Sequence, residues 1–103
     1  MALPQLSDEQ RAAALAKAAE ARRARAEVKE LLKTGSMSLA ELLDRAESDD
    51  ILAGLKVSSV LSSMPGTGKV KANRLMESLG IADNRRLRGL GDRQRASLLA
   101  EFA

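Results

Sequence analysis

The chain has 103 residues, of which 45% are hydrophobic and 30% charged, and its formal net charge is +3. This length and composition are typical of one small soluble domain. Because the sequence contains no cysteine and no histidine, it excludes a disulfide framework and a thiolate metal site, and it lacks the commonest metal ligand and general base. We therefore predict no metal, no other cofactor and no small-molecule substrate, since an enzyme would have to act through carboxylates and lysines alone.

Charge is unevenly distributed along the chain. The net charge is +2 over residues 1–33, −3 over residues 34–56 and +4 over residues 57–103, which indicates a polyanionic partner. Phe102 is the one aromatic residue, so the chain cannot stack a row of rings on single-stranded bases, and duplex is the better candidate. The sequence shows no signal-peptide pattern and no membrane-spanning run, so we predict a cytoplasmic protein with no membrane partner.

The N-terminal third predicts one long helix. Ser7 and Gln10 fit a capping box, and alanine-rich sequence then continues to Gly35, giving a helix of about 26 residues and about 40 Å. Large apolar residues are concentrated in its C-terminal half, whereas the N-terminal half has only Leu15. We therefore treat residues 1–33 as a long helix whose second half packs on the rest of the chain and whose first half projects.

Charged residues on this helix allow two interpretations. The basic residues share one edge, which would make Arg22 and Arg25 candidate contacts to a polyanion. Alternatively, the helix is a solvated one, stabilised by local ion pairs. The basic edge consists of Arg11, Arg22, Arg25, Lys29 and Lys33, and the candidate ion pairs are Asp8–Arg11, Glu20–Arg23 and Glu30–Lys33.

The acidic segment that follows predicts short helices. Ser38 and Glu41 form a second capping box, and leucines at helical spacing continue to about Asp49. The carboxylates here lack the glycine and the twelfth-position glutamate of a calcium loop, so we interpret them as a solvated face turned away from the anionic partner. Residues 51–55 supply apolar side chains, as one irregular or helical turn.

Residues 57–81 predict a helical hairpin. Apolar residues recur at helical spacing over residues 57–64 and again over 70–79, and Pro65, Gly66, Thr67 and Gly68 separate the two helices. A glycine turn that leads into a helix directs unpaired N–H groups outward, where the positive end of the helix dipole favours an anion. Lys69 and the nearby Lys71 add positive charge, so a phosphate backbone is the simplest partner for this surface.

The hairpin sequence has two other interpretations. A nucleotide-binding P-loop requires glycine five residues before Gly68 and serine or threonine after Lys69, but Ser63 and Val70 occupy those positions. An ordinary hairpin, in which the glycines only make the turn, is not excluded by the local sequence.

The C-terminal part predicts a basic loop and a last helix. Gly80 ends the preceding helix, and Leu87 and Leu90 should face inward, so that the three arginines between residues 85 and 88 point to solvent, either as phosphate contacts or as a solubilising loop. Asp92 is placed to cap a short final helix that closes the core. No segment alternates with the period of a strand. The predicted fold is all-α, with residues 34–103 forming a compact bundle of short helices.

The residues that carry a family resemblance are the alanine- and arginine-rich first helix, the segment K-V-S-S-V-L-S-S-M-P-G-T-G-K-V-K-A-N-R-L-M-E-S-L-G-I and the later N-R-R-L-R-G-L-G. Over nearly its whole length the chain resembles the actinobacterial, mycobacterial-type integration host factor. The resemblance implies a nucleoid-associated helix-two-turns-helix protein that binds duplex DNA with little sequence preference, bends and compacts it, and assists phage integrase. It also implies the phosphate-contacting positions, which are Pro65, Gly66, Gly68, Lys69, Arg85, Arg86 and Arg88.

Two other proteins share this motif. A small-subunit ribosomal protein uses it on ribosomal RNA, which leaves RNA binding as the alternative function, although that protein has a long basic C-terminal tail that this chain lacks. Formamidopyrimidine-type DNA glycosylases also carry it, but they act through an N-terminal proline and a catalytic domain for which this chain has no room, so we predict no enzyme. Thr67 departs from the apolar residue usual in the turn, and its hydroxyl could lie near a phosphate.

Overall fold

The computed structural model of the protein describes residues 7–102, and within this range it contains no β-strand. The all-α prediction is therefore confirmed. The described range also contains no helix that is both long enough and apolar enough to cross a membrane. Six α-helices and one 3-10 turn follow one another: α1 Asp8–Lys33, α2 Leu39–Ala46, α3 Asp50–Ala53, α4 Val57–Ser63, α5 Lys69–Ser78, the 3-10 turn Leu87–Gly89 and α6 Asp92–Glu101.

Helix α1 begins and ends at the signals that the sequence contains. The Gln10 N–H donates to Ser7 Oγ at 3.1 Å, and the Ser7 N–H donates to Gln10 Oε1 at 2.9 Å, which completes the predicted capping box. At the other end Gly35 takes a φ of +76°, and the Ser36 N–H donates to the Leu31 carbonyl at 2.9 Å. This pattern is a Schellman motif, in which glycine adopts the left-handed conformation at little cost.

The two halves of α1 differ in burial. Residues 7–18 are all exposed, whereas Val28 and Leu32 are buried where α1 packs against α3 and α4. The Cα radius of gyration is 15.9 Å, above the value of about 13 Å for a compact chain of about 100 residues, because α1 extends beyond the other helices. The division of the chain into a long helix over residues 1–33 and a DNA-binding bundle over residues 34–103 stays a prediction, and residues 1–6 lie outside the described range.

Helices α4 and α5 pack against each other at the centre of the core. Val57, Val60, Leu61 and Met76 are fully or almost fully buried, each stabilising the fold by about 1.5–3 kcal/mol relative to an exposed side chain. Helix α5 is followed by a second Schellman motif around Gly80, which has a φ of +69°. The N–H of the next residue, Ile81, donates to the Met76 carbonyl at 2.9 Å, and Ile81 is buried.

The acidic residues have structural partners. Asp49 caps α3, because its Oδ1 accepts the N–H groups of Ile51 at 3.0 Å and Leu52 at 3.3 Å. On α2, Glu47 and its neighbour Asp44 accept from Arg95 of α6, at 3.0 Å and 3.5 Å. Both carboxylates remain largely exposed, so this pairing orients α6 more than it stabilises the fold.

The start of α6 differs from the sequence prediction. Asp92 is the first helical residue and Gly91 is the N-cap, so the expected cap at Asp92 was wrong. No side chain caps the first-turn N–H groups of α6. Gln94 instead fixes the start of the helix, because its Oε1 accepts the Gly91 N–H at 3.1 Å while its Nε2 donates to the Gly80 carbonyl at 3.1 Å. Asp92 still lies in the first turn, where the helix dipole favours a carboxylate.

Candidate nucleic-acid interface

The turn between α4 and α5, residues 65–68, reverses the chain within four residues. Pro65 ends α4, and Gly66 takes a φ of +72°, a conformation that a side chain would strain. The Thr67 N–H donates to the Met64 carbonyl at 3.0 Å and closes the turn. Gly68 is extended, with a φ of −88° and a ψ of 179°, and is the N-cap of α5. Positive φ is therefore required at Gly66 and not at Gly68.

The N-terminus of α5 differs from the other helix starts within residues 7–102. Helices α1, α2 and α3 are capped by the side chains of Ser7, Ser38 and Asp49. The first N–H of α4, that of Val57, donates to the Arg85 carbonyl at 2.9 Å. Helices α5 and α6 both lack a side-chain cap, but α6 has Asp92 in its first turn, whereas α5 has no acidic residue there. The first N–H groups of α5 are therefore better suited to bind an anion than those of α6.

The side chains around this N-terminus add positive charge. Lys69, Lys71 and Arg74 are all exposed. In the described part of the chain, ion pairs are confined to Arg95, so none of these three cations forms one, although Glu101 lines the same small pocket as Lys71. Uncapped N–H groups and unpaired cations thus occupy the same surface, which suits a phosphate better than an uncharged ligand.

Thr67 lies on the inner side of the turn. It is only 8% exposed, and it lines a small pocket together with Pro65, Lys71, Leu75, Glu101 and Phe102. Its N–H already closes the turn. A phosphate contact by the Thr67 hydroxyl stays a prediction.

The basic loop after α5 is tied to the segment before α4. Besides the bond from Val57, the Leu87 N–H donates to the Leu55 carbonyl at 2.9 Å, and Lys56 and Arg86 form an isolated antiparallel bridge. Leu87 is buried, as predicted. The arginines of this loop consequently lie at the start of α4, while the turn lies at its end, about 10 Å further along the helix axis.

Three of the predicted arginines converge at the end of α3. From α1, Arg25 donates through Nε to the Ile51 carbonyl at 3.1 Å, and Arg86 donates to the Gly54 carbonyl. The Arg88 guanidinium lies beside Gly54 as well. We refer to Arg25, Arg86 and Arg88 as the arginine cluster. The recorded hydrogen-bond partners of Arg25 and Arg86 are neutral carbonyl groups, and within the described residues no member of the cluster forms an ion pair. Arg88 also lines a pocket that includes Glu47, Asp50 and Asp92.

The remaining predicted arginines are placed differently. Arg85 is half-buried and donates through Nη1 to the Gly89 carbonyl at 2.6 Å and to Gln94 Oε1 at 3.4 Å, so it is directed towards its own loop. Arg22 is exposed on α1 and is not part of the cluster. The local ion pairs considered for α1 are not formed in the described chain, where Arg95 makes the only ion pairs. The basic-edge interpretation of α1 stays a prediction.

Comparison with known proteins supports the family resemblance seen in the sequence. The model of the S13-like H2TH domain family matches residues 32–102. The protein named integration host factor from Mycobacterium tuberculosis is 62% identical over 102 residues, which cover 99% of this chain and 97% of that protein. The integration host factor of Streptomyces coelicolor is 56% identical, with coverage of 99% and 95%. A solved structure of sIHF bound to an 8-base-pair palindromic DNA superposes with a TM-score of 0.82 at 52% identity, covering 84% of this chain and 98% of that one.

Proposed function

Because the chain belongs to the actinobacterial integration host factor family and carries its helix-two-turns-helix domain, we propose that it is an architectural protein that binds duplex DNA. Support comes from the similar structure of sIHF, which was solved with DNA bound, and from the lack of ion pairs, within the described residues, at the turn and at the arginine cluster. The observation that carries the proposal is the N-terminus of α5, which has no side-chain cap and no acidic residue in its first turn and is flanked by the exposed cations Lys69 and Lys71.

The proposed contacts are to phosphates. At the turn, the N–H groups at Gly68 and Lys69 bind one phosphate, Pro65 and Gly66 bring the backbone close to it, and the lysines at 69 and 71 add charge. At the other end of α4 the arginine cluster binds further phosphates, since a duplex carries about one phosphate per 1.7 Å of axis. Phosphates are identical along any sequence, so this surface binds with low sequence specificity.

Bending and compaction of DNA require a contact at a distance from the bundle of short helices formed by residues 34–103. Smooth bending of a duplex site of 20–30 base pairs by 40–90° costs on the order of 1–6 kcal/mol, which must be offset by contacts that a straight duplex would miss. Helix α1 has 26 residues and is about 39 Å long, so Arg22 and the basic edge towards the N-terminus can contact DNA at a distance from the other helices. Such a protein would associate with the nucleoid and support phage integration, with the phage integrase as a protein partner.

A salt series with DNA and RNA tests the proposal. Fluorescence anisotropy would compare two duplexes of unrelated sequence and one structured RNA at several salt concentrations. We expect similar affinity for both duplexes, weaker binding to RNA, and a logarithm of affinity that falls by about 0.9 per neutralised phosphate for each decade of salt. Preference for the RNA would replace DNA binding with the ribosomal-type function, and salt-independent binding would contradict phosphate recognition.

A further inference from the structure

Gly54, the C-cap of α3, is buried beneath the arginine cluster. A Cβ added there would lie 2.7 Å from Arg25 Nη2 and 3.0 Å from Arg88 Nη2. Both distances are shorter than a relaxed carbon–nitrogen contact of about 3.5 Å. The two guanidinium groups, which come from helices and loops far apart in the sequence, therefore occupy the space that a side chain at position 54 would fill.

Gly54 does not need to be glycine for backbone reasons. Its φ is −83° and its ψ is −3°, which is ordinary right-handed helical geometry. Alanine adopts this conformation freely, and a glycine-to-alanine change at a compatible position normally stabilises a fold by restricting the unfolded chain. The remaining close atom, the Ile51 carbonyl oxygen at 3.5 Å, is at an ordinary contact distance. The absence of a side chain at position 54 therefore makes room for the arginines and is not required by the backbone conformation.

We propose that Gly54 is a positioning residue for DNA binding, which acts by leaving room for Arg25 and Arg88 to converge beside Arg86. This inference rests on the proposed function, because it assumes that the cluster binds phosphates. Like charges repel, so three guanidinium groups stay together only where each has a place to dock. The carbonyl groups of Ile51 and Gly54 supply acceptors for Arg25 and Arg86, and the open space at Gly54 brings Arg88 to the same point.

The variant Gly54→Ala separates this role from a structural one. The added methyl group displaces only the ends of two flexible side chains, so the thermal midpoint should stay unchanged or rise. Affinity for duplex DNA should fall about tenfold, as expected for the loss of about one charge-assisted contact, and the salt slope should become shallower by about 0.9. Gly91→Ala is the matched control, because a Cβ there meets only Gln94 Oε1 at 3.6 Å, and its affinity should equal that of the wild-type protein.

A mutant cycle tests whether Gly54 affects DNA affinity through Arg25 and Arg88. In a protein that already carries Arg25→Gln and Arg88→Gln, adding Gly54→Ala should change the affinity no further, because the side chains through which Gly54 acts have gone. An NMR spectrum of the free protein adds a second readout, in which Gly54→Ala should shift the Arg25 Nε–H resonance that reports on the bond to Ile51.

The possible results separate the positioning role of Gly54 from DNA binding itself. Wild-type affinity in Gly54→Ala, or a loss that persists in the double-glutamine background, would overturn the positioning role while leaving DNA binding intact. Failure of the wild-type protein to bind duplex DNA at all would instead overturn the proposed function, and the Arg25 resonance would still show whether Gly54 positions the cluster.

Discussion

The turn and the arginine cluster present positive charge at opposite ends of α4 by different means. At the turn, backbone N–H groups of α5 are left open because Gly68 provides no cap. At the cluster, long side chains are held by carbonyl groups near Gly54. A site made of backbone groups depends on the shape of one short segment, whereas a site made of guanidinium charges loses affinity in steps as charges are removed. The two sites should therefore respond differently to substitution and to salt.

The largest effect is expected for Gly68→Asp. Gly68 has the extended conformation of an N-cap, so aspartate should cap α5 and raise the thermal midpoint. The same carboxylate would occupy the position proposed for a phosphate, and duplex affinity should fall by about 100-fold or more. Thermal unfolding and anisotropy on the same samples measure both changes.

The control is Gly68→Asn, which offers a cap without the negative charge. It should stabilise α5 in a similar way and weaken binding less than aspartate, with the salt slope unchanged because no cation is lost. Undiminished DNA binding in both variants would show that the α5 N-terminus is not a phosphate site.

The next largest effect is expected at the cluster. Replacing Arg85, Arg86 and Arg88 together with alanine should weaken binding equally for unrelated duplexes and flatten the salt slope by up to about 0.9 per lost contact. Because Arg85 donates to the Gly89 carbonyl, the double variant that keeps Arg85 should lose almost as much affinity as the triple variant. A salt slope that does not change would mean that these arginines only solvate the surface.

The contrast between the two sites also shows which features the sequence could predict. The turn was predictable because its determinants, Pro65 to Gly68 and the helical spacing on both sides, are adjacent in the chain. The capping boxes at Ser7 and Ser38 were predictable for the same reason. The cluster was not, because Arg25 meets Arg86 and Arg88 only through the packing of α1 on α3, and no local pattern encodes that contact.

Other features that the sequence did not predict also depend on contacts between residues far apart in the chain. Thr67 is polar, but it is largely buried in the turn, which its residue type alone does not predict. The cap of α6 was misplaced because Gln94 bonds both Gly91 and the distant Gly80 carbonyl. A local rule that favours Asp92 as the cap cannot include a partner that is 14 residues away.

A smaller effect is expected for Gly66→Ala, which tests the shape of the turn without removing any charge. Gly66 has a φ of +72° with nothing within 4 Å of an added Cβ, so the cost is backbone strain of roughly 1 kcal/mol and not a clash. Binding should weaken several-fold with the salt slope unchanged. In the matched variant Gly68→Ala, where φ is negative, the strain is absent, and an equal loss of stability in both variants would contradict this account of the turn.

The smallest effect on affinity is expected for deletion of residues 1–18. The described residues of this segment are all exposed, so the truncated protein should fold and bind a short duplex with little loss. It should bend or compact long DNA less, because the contacts furthest from the turn have been removed. Circular-permutation gel shifts and single-molecule imaging would measure this change. Full bending by the truncated protein would show that residues 19–103 are sufficient to bend DNA.

The central claim is that the N-terminus of α5 binds a phosphate of duplex DNA, and amide NMR tests it most directly. Titrating a short duplex into the isotopically labelled protein should shift the amide resonances of Gly68, Lys69 and Val70 first and most strongly, with the shifts reduced in Gly68→Asn. Perturbations confined to α2 and α6, with the turn amides unmoved at saturation, would contradict the claim.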